Sequence, residues 1–345
     1  MKTKAAFLCE QNAPLKVGVV DVPDLTFGQV LVRLRASGVC GKQLDEQVGT
    51  RGHDPYLPHL LGHEGGGIVE AIGPGVTKVS AGDHVIAGWM KGSGINAPTP
   101  EYRTEEGDRI NAGNITTFQE LSIISENRLT PIPKDVPFDV AAVLGCAIPT
   151  GFGIVLNQAQ VKPGSTVAIY GCGGIGLSVV MAAALVSPSK VIVIDAHEAK
   201  LKLAKELGAT HVLNFRSAVD PVTAVRELTL GQGVDYSIAA VGNATAMEQA
   251  YQSARKDTGF VVLAGVPREK ITIDAYQMNW GCRLVGSHGG ETVVDEDLPR
   301  YVELFRQGKL EVEKLITDRF RLEQVNQSLE MLRNGDIAGR ALLEL

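Results

Sequence analysis

TVAIYGCGGIG, residues 166–176, joins a short apolar run to a cluster of glycines. Val167, Ala168, Ile169 and Tyr170 have the composition of a buried β-strand. Gly171, Gly173 and Gly176 match the pattern G-x-G-x-x-G, and the small apolar stretch Leu177–Val186 reads as a buried helix. Glycine suits each position for its own reason: a tight turn, a close approach of backbone to a pyrophosphate, and close packing of helix on strand. The start of the helix then offers free N–H groups and a positive dipole end to phosphate. Gly171, Gly173, Gly174 and Gly176 are therefore candidate cofactor-binding residues.

Such a pattern recurs by chance in a chain with 39 glycines, so the following unit matters. Lys190–Asp195, KVIVID, is a second buried strand, and Asp195 lies 19 residues beyond Gly176. A carboxylate at about that spacing accepts both hydroxyls of an adenosine ribose and repels a 2′-phosphate. NAD(H) is expected over NADP(H). The plainer alternative is a strand-end aspartate capping the next helix.

At 345 residues two domains are expected. Hydrophobic content of 44% with 21% charged residues describes a folded chain, and a net charge of −6 leaves no basic footprint for nucleic acid. No apolar stretch is long enough to span a bilayer. The opening MKTKAAFLCEQN is a poor signal peptide because Glu10 and Gln11 interrupt its apolar run. Five scattered cysteines do not read as a disulfide framework, and a cytoplasmic setting is expected. Cys9 and Cys282 read as core thiols, and Cys172 as a small filler inside the glycine loop.

The first 35 residues carry short β-like runs broken by turn signals, and residues 61–88 continue them. Residues 89–117 form a polar excursion with glycine and proline and no clear period, followed by strand-like Phe118–Ile124 and Leu129–Ile132 and helical Val136–Gly145. From Ser165 strands alternate with helices, which argues a parallel, doubly wound sheet. Helical Leu298–Gly308 and Leu322–Gly335 and a closing strand Arg340–Leu345 complete the chain.

Cys40 in GVCGK, His63 and Glu64 in LLGHEGGG, and Cys146 in LGCAIPTGFG offer two thiolates and an imidazole. Three such ligands with an open fourth position describe a catalytic zinc site. Spacings of 23 and 83 residues are too long for a local zinc finger, so the fold itself must bring them together. Scattered residues of these types are, taken alone, more often unrelated.

Their local contexts resemble the zinc-containing alcohol dehydrogenases of the medium-chain dehydrogenase/reductase superfamily. The resemblance runs almost end to end, through Cys40, Gly62-His63-Glu64, Cys146–Gly153, GCGGIG with Asp195, AGVP at 264–267 and GSHGG at 286–290. It implies an α/β protein: a GroES-like β-rich catalytic domain (1–148 and 290–345) and a Rossmann-type NAD-binding domain with a doubly wound parallel sheet (149–289). It also implies one catalytic Zn²⁺ on Cys40, His63 and Cys146, with Glu64 a nearby carboxylate. Thr150 would lie beside the nicotinamide, Ile175 behind it, and Val266 would position the carboxamide through its backbone. Asp195 and Lys200 would bind the ribose and Arg340 the pyrophosphate; for Lys200 and Arg340 a solvated surface charge is the alternative. The reaction would be hydride transfer between an alcohol and NAD, with zinc as Lewis acid on the substrate oxygen, in a homodimer or homotetramer.

Two departures stand out. Residues 89–117 contain no cysteine, where many relatives carry four for a structural zinc, so no structural zinc is expected and something else must order this lobe. Surface ion pairs among Arg103, Glu105, Glu106, Asp108 and Arg109 would contribute little. Second, relatives usually place Ser or Thr two residues after the first cysteine, as a proton relay, and then Asp. Here those positions are Lys42 and Gln43. Three readings of Lys42 stand open: a desolvated amine with a depressed pKa taking the proton, a charged group binding an anionic or polyhydroxylated substrate, or a stem packed locally with its amine in solvent. Asp45 is a secondary relay candidate. His59 and His84 read as structural, while His53 and His288 are weaker site candidates.

Low aromatic content and a polar residue beside the metal favour a polyol, sugar or cyclitol. The rivals are a zinc-free enone or quinone reductase, which would lack the ligands, and a non-catalytic NAD(H)-binding redox sensor.

Overall fold

Six short strands of almost wholly apolar sequence form one parallel sheet in the order 211–214, 190–195, 166–170, 236–239, 260–263, 283–286. These lie in one of two units of a computed structural model that describes residues 1–50, 52–216 and 220–345. The unit spans residues 147–292, and the other comprises residues 1–146 and 293–345.

Val167–Tyr170 and Val191–Ile194 are buried on both faces, which requires helices above and below. Helix Gly174–Val186 is apolar all round and buried over most of its length. Helices Pro221–Leu228 and Ala244–Ser253 start at side-chain caps, Asp220 accepting from the Thr223 N–H and Asn243 from the Ala246 N–H. Strand order reverses at 166–170, whose carboxyl end feeds the glycine turn; this is where doubly wound sheets bind ligands.

The other unit is β-rich. Strands 2–8, 16–21, 101–104, 109–111 and 59–60 close into a barrel around Phe7, Val20, Tyr102 and Ile110. A seven-stranded sheet runs 129–132, 84–88, 64–72, 29–39, 340–344, 316–321, with 121–125 paired to 29–39. Two barrel strands fall within the excursion expected to be irregular. They are three and four residues long, too short to show a period.

That excursion is held by two carboxylates, one buried and one exposed. Glu126, fully buried, accepts the N–H groups of Thr77 (2.6 Å) and Lys78 (2.7 Å) on one oxygen and of Ile95 (2.7 Å) on the other. Asp295 accepts the Ser93 N–H and pairs with the Lys78 amine at 2.6 Å. Surface ion pairs exist as well, but run through Glu101 to Arg103 and Arg109 and from Glu105 to Lys2. Cys9 is exposed, against the expectation of a core thiol, while Cys282 is buried. Among the described residues no helix is long and apolar enough to cross a membrane.

Candidate metal centre and dinucleotide loop

The glycines of LLGHEGGG are spacing devices. A Cβ on Gly66 would lie 2.2 Å from the Phe138 carbonyl oxygen, so its absence lets helix Phe138–Val143 press onto strand Glu64–Ile72. Gly145 has the same role: a Cβ there would lie 2.5 Å from the Ala87 oxygen and 3.0 Å from the Glu64 Cα. Cys146 is thereby delivered beside His63 and Glu64. Cys40 arrives from another direction, at the end of strand Gln29–Val39 and the N-cap of helix Gly41–Val48. That helix, absent from the sequence expectations, ends at Gly49 in the left-handed region (φ 68°).

One ligand atom each from Cys40, His63, Glu64 and Cys146 lies within 4.8 Å of all the others. Among the described residues this is the one such group of histidine, cysteine and acid. The two thiols meet in one site and their ionisations separate. Cys40 lies well below the ordinary thiol range, held there by a hydrogen bond from Cys146 against the cost of burial, with His63 and the positive charge of Arg340 assisting. Cys146 is pushed well above, by its bond to Cys40, by burial and by the Cys40 charge.

Glu64 is fully buried and one of its oxygens accepts from the Arg340 guanidinium; Gly38 leaves the space, since a Cβ there would lie 2.4 Å from the Glu64 Cδ. The second oxygen, Oε2, has no hydrogen-bond partner. An orphaned carboxylate oxygen beside two thiols and an imidazole is a donor set that fits a divalent cation of zinc's preferences. Gln43, also fully buried, joins two members: its Oε1 accepts the Cys40 N–H at 2.8 Å and its Nε2 lies 2.7 Å from His63 Nδ1.

Three further candidates lie on these elements. Arg340, expected on a pyrophosphate or else as a solvated surface charge, is buried with its guanidinium bound to Glu64, because strand Arg340–Glu344 runs inside the sheet next to strand Gln29–Val39; the surface-charge alternative is thereby overturned. Lys42 was expected, on one reading, as a desolvated amine beside the metal. Its amine lies 3.6 Å from Glu46 one helical turn on, with the side chain about a third exposed (34%). Its position on the outer face of the short helix favours the plainest of the three readings. Asp45 accepts from the Thr50 hydroxyl at the far end of the same helix, at 3.2 Å.

In the parallel-sheet unit the three glycines separate by role. Gly171 has φ 92°, a region closed to residues with a Cβ, and a Cβ on Gly176 would lie 2.0 Å from the Gly171 oxygen. A Cβ on Gly173 would meet nothing within 4 Å, so that position is a cradle open to a ligand. The first helical N–H groups, those of Gly174, Ile175 and Gly176, belong to the turn that has no intrahelical acceptors. Asp195 ends its strand with Oδ2 accepting the Cys172 N–H (2.7 Å) and Oδ1 accepting the His197 N–H (3.0 Å). This ties the carboxylate to the glycine loop and leaves further lone pairs for hydroxyl donors. Lys200 is half-buried on helix Glu198–Glu206, and Thr150 is buried in helix Ala147–Gly153. Val266 is exposed, its carbonyl packed where a Cβ of Gly242 would otherwise stand. Of the weaker histidines, His59 pairs with Asp54, His84 stacks on Phe138, and His53 and His288 are exposed.

Comparison with known proteins agrees with both halves. Residues 26–134 match the family model described as the alcohol dehydrogenase GroES-like domain, and residues 174–307 match that of the zinc-binding dehydrogenases. The S-(hydroxymethyl)glutathione dehydrogenase of Synechocystis is 31% identical, over 97% of this chain and 98% of its own length. Among solved structures, an alcohol dehydrogenase zinc-binding domain protein from Burkholderia ambifaria superposes with a TM-score of 0.91 at 30% identity, covering 100% of this chain and 99% of that one. The benzyl alcohol dehydrogenase of Acinetobacter calcoaceticus gives 0.89 at 28%, with the same coverage.

Proposed function

The chain belongs to the zinc-binding alcohol dehydrogenases of the medium-chain dehydrogenase/reductase superfamily, and we propose that it is an NAD(H)-dependent enzyme interconverting an alcohol and its carbonyl compound. The observation that carries this reading is the cluster of Cys40, His63, Glu64 and Cys146, with a Glu64 oxygen unpartnered. Cys40, His63 and Cys146 would hold the zinc. Glu64, restrained by Arg340, would be the carboxylate available to it during ligand exchange. Zinc bound there supplies Lewis acidity toward an alcohol or carbonyl oxygen, and NAD supplies the hydride acceptor.

This chain's own residues then bind and orient. Gly171 turns the chain, Gly173 leaves room, and the N–H groups of Gly174, Ile175 and Gly176 meet the pyrophosphate. Asp195, assisted by Lys200, takes the ribose hydroxyls, and the backbone of Cys172 and His197 holds it in place. Thr150 and Val266 flank the nicotinamide. Polyols, sugars and cyclitols are the favoured class, because aromatic residues make up only 5% of the chain.

Metal analysis of the purified protein, joined to NAD⁺ reduction over a panel of polyols, simple alcohols, benzyl alcohol and S-(hydroxymethyl)glutathione, tests the reading. One zinc per chain and chelator-sensitive reduction of NAD⁺ are expected. Zinc-free protein, or a panel in which nothing reduces NAD⁺, would overturn it in favour of a binding or sensing protein of the same fold.

A further inference from the structure

The Gln43 side chain touches two of the metal-site residues at once, Cys40 and His63. Its amide orientation is set by the Cys40 N–H, which can only donate and therefore faces Oε1 at 2.8 Å. The amino group is left to face His63 Nδ1 at 2.7 Å. An amino group can only donate, so Nδ1 must accept, and the proton of the neutral ring stands on Nε2.

We propose that Gln43 is a positioning residue which stabilises His63 in the tautomer that cannot ligate zinc through Nε2, so that loading the metal costs a buried hydrogen bond whichever way its amide lies. This rests on the zinc reading above. With zinc on Nε2 the remaining ring proton lies on Nδ1 and needs an acceptor. If the amide turns to offer Oε1 to His63, its amino group then faces the Cys40 N–H, donor against donor. If it does not turn, the same conflict falls at His63. Either way the loaded site gives up one buried hydrogen bond that the metal-free site makes. A carboxylate in this place accepts from both donors at once and gives up neither. Gln43 therefore loosens the hold on zinc without touching it.

The test has two readouts apart from turnover. In metal-free protein labelled with ¹⁵N-histidine, the neutral His63 ring should carry its proton on Nε2. In Gln43→Glu it should move to Nδ1. In competition with a chelator, Gln43→Glu should bind zinc about tenfold or more tightly than the parent. Gln43→Met, which adds no charge and removes the amide from both states, should also bind more tightly, by a few-fold. A parent ring protonated on Nδ1 would overturn the proposal. So would equal zinc affinity in all three proteins, or tightening by Glu with weakening by Met, which is charge acting alone. Failure of parent and variants alike to bind zinc would overturn the metal reading itself.

Discussion

Glu64 and Arg340 form an ion pair across 276 residues of sequence, with Glu64 fully buried and Arg340 5% exposed. Buried pairs of this kind contribute little net stability but are costly to break, because the partner left behind is an uncompensated charge. Arg340→Met should therefore destabilise the β-rich unit by about 3–5 kcal/mol. Glu64→Gln in the same chain should restore part of that, since the stranded charge is then gone. Chemical unfolding of the two single variants and the double variant measures the coupling. A loss under about 1 kcal/mol in Arg340→Met would mean that the pair is solvated or rearranged.

Glu126 predicts acid lability of the lobe 89–117. Burial pushes its carboxyl up, but the N–H groups of Ile95, Thr77 and Lys78 and the Lys78 charge outweigh it and hold the group below the usual glutamate range. A depressed folded value means that the stabilisation is complete above the ordinary carboxylate range and is lost as pH falls through the folded value. Glu126→Gln should cost about 2 kcal/mol at neutral pH, the scale of charge-assisted hydrogen bonds. It should also flatten the acid dependence. Hydrogen exchange at the Thr77, Lys78 and Ile95 amides, followed against pH, checks both. Unchanged protection in Glu126→Gln would remove the anchor role.

The parallel sheet was legible because strands buried on both faces leave continuous apolar runs, as in KVIVID, and such runs survive any detail of packing. Cys40, His63 and Cys146 were legible as candidates only through the motifs around them; the glycines that let Cys146 reach Glu64 act through distances no sequence displays. Helix Gly41–Val48 is hard to read because eight residues, GKQLDEQV, begin with glycine and hold only two apolar residues, Leu44 and Val48. Glu126 and Arg340 were opaque for a related reason. Each is an ordinary charged residue in sequence, and its partners, in loops at 77–78 and 95 for Glu126 and at 64 for Arg340, are supplied by the tertiary fold.

Asp195 predicts cofactor choice. Its two oxygens are fixed by the Cys172 and His197 backbone, so the carboxylate cannot swing away from a ribose bearing a 2′-phosphate. Asp195→Ser removes the repulsion and should lower the ratio of kcat/KM for NAD⁺ over NADP⁺ about tenfold or more, equivalent to ~1.4 kcal/mol. A ratio that does not move would assign the discrimination to another residue and leave Asp195 as a support of the glycine loop.

Lys42 stands where a hydroxyl relay is usual, yet its amine faces Glu46 at 3.6 Å on a partly exposed helix face. An exposed pair one helical turn apart contributes only about 0.3–0.5 kcal/mol. Lys42→Ala should therefore leave thermal stability almost unchanged, shift kcat less than about threefold, equivalent to ~0.65 kcal/mol, and leave the pH–rate profile in place. Lys42→Ser supplies the hydroxyl that this chain lacks. If it raises kcat while Lys42→Ala does not lower it, the lysine carries no proton and the outward route begins elsewhere. A profile displaced in Lys42→Ala and returned by Lys42→Ser would instead show that the amine leaves Glu46 during turnover, and would make Lys42 the relay after all.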